Sequence, residues 1–168
     1  LEFTRFALPN GMTVILNVDH ATPLVAVNVT YHVGAKDDPP GQRGITHLCE
    51  HAIALGSPNV DQPLQPFYRS IGGTSARAET TDDLTSFYVV VPPNQLETAL
   101  WAESDRMAVP FSRLTPERLG AIRGVVGQER QQNVENATFG VSRELTLAAL
   151  FPEGHPYHIE TAIAGADL

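Results

Sequence analysis

Residues 44–55 read GITHLCEHAIAL, between the breaker-rich KDDPPGQRG at 36–44 and a glycine at 56. The spacing predicts a helix over 44–55, ended by Gly56. A helix turns about 100° per residue. His47 and His51 therefore stack on one face, and Glu50 lies on the same side. Two imidazoles one turn apart can grip one Zn²⁺ at about 2.0–2.1 Å. Glu50 stands beside them, placed to take a proton from a water at the open position that a catalytic zinc keeps. Cys49 falls half a turn from His47 and is expected to be a small buried hydrophobe, not a ligand.

A third ligand should be a carboxylate or imidazole on another rigid element. Glu129 is the best candidate. It lies on a helix predicted from Thr115, with Thr115 at the cap and Pro116 at the first position. It follows Ile122 by seven residues and Val125 by four, which turns it toward the core side of that helix. A carboxylate there needs a partner, and a metal is one. The other reading places Glu129 at the edge of the face, reaching solvent. Its neighbour Gln128 offers only an amide, a poor zinc ligand.

Outward from the motif, residues 3–20 read as strand, turn, strand around Asn10-Gly11. A further strand is predicted over 23–35, where Val25, Val27 and Val29 alternate. After the motif helix come a short helix at 64–73 and a strand at 84–92 stopped by Pro92-Pro93. Helices follow at 94–107 with Asn94 as N-cap, from Thr115, and at 139–151. Long helices and few strands, without strict βαβ alternation, predict an α+β fold with a mainly antiparallel sheet and helices packed on it.

The chain has 168 residues, which suits one domain, and 42% hydrophobic residues, which supports a sizeable core. The net charge of −8 argues against nucleic acid as the main partner. Cys49 is the one cysteine, so an internal disulfide and a Cys-based metal site are both excluded. No apolar run approaches the roughly 20 residues of a membrane span. The opening LEFTRFALPNG reads as folded protein, with no visible signal peptide. His155 and His158 in HPYH are expected in a loop, and His20 and His32 in structural roles. Glu103, Asp105 and Arg106 are expected on a solvated helix face, and Trp101 in packing.

H-x-x-E-H is the inverse of the common zincin motif and marks its own class of peptidases. Together with LPNGMTVIL, GITHLCEHAIALGSPNV, DDLTSFYVVVPPNQLETALWAESDRM, RGVVGQERQQN and LFPEGHPYH, it makes the chain resemble a known family nearly end to end. That family is the pitrilysin/insulinase/mitochondrial processing peptidase family, and the likeness is to the first domain of its bacterial two-domain members.

The resemblance implies a zinc-dependent metalloendopeptidase acting on peptides or polypeptides. It implies His47 and His51 as zinc histidines, Glu50 as general base and Glu129 as third ligand. Where the family often carries Asn-Ala on the edge strand that pairs with substrate, this chain has Arg77-Ala78. Where many members have a second, supporting glutamate, it has Ile122. The family's working unit includes a second, similar domain or a partner subunit in a dimer, so residues 1–168 are expected to be one domain of a larger whole. Periplasm or export is favoured over cytoplasm. Two alternatives stand beside this reading. One is a non-catalytic subunit of the same family. The other is an S-ribosylhomocysteine lyase-like enzyme, which would use downstream cysteines that are not present here.

Overall fold

The structure is a computed structural model and describes residues 2–158. Its elements follow the hydrophobic pattern of the chain. β1 (Thr4–Ala7) and β2 (Thr13–Leu16) form an antiparallel hairpin across the Asn10-Gly11 turn, where Gly11 adopts φ +87°. β3 (Val25–Tyr31), β4 (Thr74–Thr80) and β5 (Thr85–Val91) form an antiparallel sheet in the order β3-β5-β4. The helices are α1 (Ile45–Ile53), α2 (Leu64–Ser70), α3 (Leu96–Ala108), α4 (Pro116–Arg130) and α5 (Ser142–Leu150). The fold is thus α+β with antiparallel sheets, as expected.

β5 is the central strand. Thr85, Phe87, Val89 and Val91 alternate into the core, as a strand with one buried face requires. They pack with Val27 of β3, Leu64 and Tyr68 of α2, and Ala99 and Ala102 of α3. A second, smaller cluster joins α1 to α4 through Leu48, Ala52, Ile122 and Val126. Gly56 closes the motif helix at φ +118°, where a Cβ would fall 2.5 Å from the Val60 carbonyl oxygen. No helix among the described residues is long and apolar enough to cross a membrane.

Several expectations need correction. β4 was not anticipated from its local pattern, because TSARAET is polar and follows two glycines. It forms because β5 supplies its hydrogen bonds. Asn94 does not cap α3: a short 3₁₀ turn at Pro93–Gln95 intervenes, and Gln95 takes the cap position. Glu103 and Arg106 are not on a solvated face. Both are buried and paired with each other. Tyr68 donates to Glu103 Oε1 at 2.6 Å, and the Arg106 guanidinium lies 4.0 Å from the centre of the Phe87 ring. The charges neutralise one another inside the core. Trp101, expected in packing, is about half exposed.

Candidate metal centre

α1 is held at its start by Asp38, in the loop before it. The Asp38 carboxylate accepts from Gly44 N at 2.7 Å and from Thr46 N at 3.0 Å. These are backbone donors that a helix start leaves without intrahelical partners. Gly44 itself adopts φ +89°, which favours glycine at that corner. With the start fixed, Leu48 and Ala52 face α4 and meet Ile122 and Val126. His47 and His51 each stand one residue before a seam residue, so both rings lie at the margin of the α1–α4 contact.

That contact delivers Glu129. The carboxylate Oε2 lies 3.3 Å from His47 Nε2 and 3.3 Å from His51 Nε2. The two Nε2 atoms are 3.2 Å apart. Donor atoms bound at about 2.0–2.1 Å to one tetrahedral ion stand about 3.3–3.4 Å apart. The three donors therefore fit a metal ion with little adjustment. The helix phase differs in one detail. Val126, not Val125, shares the inner face with Ile122; Val125 is 44% exposed. Glu129 follows Val126 by three and sits at the edge of that face, with its side chain 39% exposed. Glu129 thus reaches solvent and also meets the two histidines.

Glu50 is buried, at 7% exposure. One of its carboxylate oxygens and one ring nitrogen each of His47 and His51 all lie within 4.8 Å of one another. Thr80 Oγ1, at the end of β4, donates to Glu50 Oε2 at 2.6 Å. Cys49 is half-buried. Burial, and after it the charge of Asp38, pushes its thiol up from the ordinary range, so the neutral thiol is favoured over a thiolate. Ile122 fills the α1–α4 seam with a methyl-rich side chain and offers no hydrogen bond there.

Arg77 and Ala78 lie on β4, an edge strand, opposite Tyr88 and Phe87 of β5. Arg77 is on the exposed face, and Ala78 packs against the core. A register irregularity separates Thr74 from Arg77, and Ser75 there adopts φ +53°. His155 and His158 are in a loop, as expected. The His155 ring stacks on Phe151 at 4.4 Å, and the Phe151 carbonyl oxygen accepts from His158 Nδ1 at 2.7 Å. A cavity of about 680 Å³ opens beside His47 and Glu129, bordered by Arg43, Arg130 and Glu144. Asp38 and Thr80 carry no motif signal in the sequence. Asp38 lies too far before the helix for the usual cap spacing, and Thr80 reaches Glu50 only through the sheet.

Residues 13–159 match the sequence profile of the insulinase family, peptidase family M16. The chain is 26% identical over 155 residues to the zinc protease PqqE of Helicobacter pylori, covering 90% of this chain and 34% of that protein. It is 32% identical over 112 residues to human insulin-degrading enzyme, covering 66% of this chain and 10% of that protein. Among solved structures, a protease from Helicobacter pylori matches with a TM-score of 0.83 at 24% identity, over 95% of this chain and 38% of that one. Pitrilysin matches with a TM-score of 0.79 at 25% identity, over 93% and 16%. The chain thus spans about a third of the length of the first of these relatives and a tenth of the second. The matched profile covers most of the sequence, and the chain belongs to the insulinase family of metallopeptidases.

Proposed function

We propose that this chain is the metal-bearing part of a zinc-dependent endopeptidase. His47, His51 and Glu129 would hold the ion. Zinc in that place supplies Lewis acidity, polarising a carbonyl and lowering the pKa of water to about 7. Glu50 takes the proton of the attacking water and passes it to the leaving amine. An extended peptide adds to the free edge of β4 at Arg77-Ala78, so that backbone pairing sets its register. Because the relatives are much longer, a second domain or a partner subunit would complete the chamber around the substrate.

The observation that carries this reading is the triangle of His47 Nε2, His51 Nε2 and Glu129 Oε2, with edges of 3.2–3.3 Å beside the buried Glu50. The test uses the complete polypeptide that contains this chain, with metal analysis and a quenched-peptide assay on wild type and His47→Ala. Wild type should carry zinc and cleave, and His47→Ala should lose both. Cleavage that survives in His47→Ala without zinc would remove the proposal.

A further inference from the structure

Glu50 is a buried carboxylate, and a buried carboxylate needs hydrogen bonds to hold its place. Among the described residues the partner it has is Thr80, whose hydroxyl donates to Oε2 at 2.6 Å. Thr80 pairs with Thr85 across the β4–β5 hairpin, and their hydroxyl oxygens are 3.3 Å apart. Thr85 is itself buried and donates to Val33 O at 2.9 Å.

The hydrogens can be assigned. A threonine hydroxyl has one hydrogen. A carbonyl only accepts, so the Thr85 hydrogen goes to Val33 O. The Thr80 hydrogen then goes to Glu50, and none remains for the gap between the two threonines. Thr85 is left as an acceptor only, so the Thr80 hydroxyl has two acceptors in reach, and Glu50 Oε2 at 2.6 Å is nearer than Thr85 Oγ1 at 3.3 Å. The hairpin turn behind the pair is itself tied, by Thr81 N donating to Leu84 O at 2.8 Å.

We infer that Thr80 is a positioning residue for Glu50: it occupies Oε2 and so leaves Oε1 as the oxygen that accepts the proton. The same strand, β4, carries Thr80 and the free edge proposed for the peptide. Base and substrate would therefore be set from one element. This rests on the reading of Glu50 as base.

The test compares Thr80→Val, Thr80→Ala and Thr80→Ser in the complete polypeptide. Val keeps the shape without the hydroxyl, and Ser keeps the hydroxyl. The readouts are kcat and KM, zinc affinity, and a crystal structure of each metal-free variant. Val and Ala should lower kcat by about 10- to 100-fold, with KM and zinc affinity unchanged, and the Glu50 carboxylate should leave its wild-type position. Ser should restore both. Wild-type kcat in Val or Ala, or a Glu50 carboxylate that stays in place, overturns the inference. Loss of zinc affinity in step with kcat overturns it too, since that would mark a structural role; if Val fails to fold, the Ala and Ser pair decides alone. Failure of the base reading shows separately, as a Glu50→Gln variant that cleaves at the wild-type rate.

Discussion

The Glu129 carboxylate lies 3.3 Å from His51 Nε2, although the two residues are on different helices and far apart in the chain. What brings them together is apolar. Leu48 and Ala52 on α1 meet Ile122 and Val126 on α4, and the polar triangle forms at the margin of that seam. The seam therefore sets the spacing of the three side chains.

Leu48→Ala or Ile122→Ala should cost about 2–5 kcal/mol of stability, through lost burial and a cavity. Each should also weaken zinc binding without touching a ligand, because α4 is no longer held at its distance. Denaturant unfolding and competitive zinc titration measure the two effects. A variant that loses stability but keeps full zinc affinity would show that the seam does not set the triangle.

Glu129→Gln keeps the shape of the side chain and removes its charge. Replacing hydrogen-bonded partners around metal ligands already costs about 10- to 100-fold in affinity. Loss of a ligand should cost more than about 100-fold by the same scale. Zinc titration against a chelator of known strength gives the number. Unchanged affinity would return Glu129 to the role of a surface carboxylate.

The buried group of Tyr68, Glu103 and Arg106 is a prediction about stability. Arg106→Met leaves Glu103 without its cation and should cost about 3–5 kcal/mol. The tyrosine adds a pH dependence. Burial first, and then the charge of Glu103, raises Tyr68 above the ordinary tyrosine range. The folded state then keeps a proton that the unfolded chain releases above about pH 10. The contribution is complete below that pH and is lost as pH rises further. Unfolding free energies measured from neutral to alkaline pH should fall more steeply for wild type than for Tyr68→Phe. Parallel curves would contradict this.

Asp38 accepts two backbone donors at the start of α1. Asp38→Ala should cost about 1–2 kcal/mol, as the loss of a cap does. Because His47 lies in the first turn of that helix, zinc affinity should fall with it. Hydrogen exchange at residues 44–47 is the local measure, and unaltered protection there would refute the capping role.

Much of this was legible in the sequence, for reasons that differ by element. The motif helix was clear because histidine spacing, apolar spacing and a closing glycine agreed. β3 was clear because Val25, Val27 and Val29 alternate, and β5 because its aromatic and β-branched run stops at Pro92-Pro93. β4 was not, because TSARAET has no strong pattern of its own and depends on β5. Glu103 and Arg106 were misplaced because a charge pattern does not reveal that two charges will neutralise each other in a core. Val125 and Val126 are adjacent and equally apolar, so periodicity alone could not choose the one facing α1. Asp38 and Thr80 act across loop and sheet, where sequence spacing says nothing.

The most direct test of the account is Glu50→Gln in the complete polypeptide, with zinc content and peptide cleavage measured on the same sample. The account predicts wild-type zinc content and a rate lower by about 10²- to 10⁴-fold, the usual worth of a general base. A zinc-loaded Glu50→Gln protein that cleaves at the wild-type rate would contradict it.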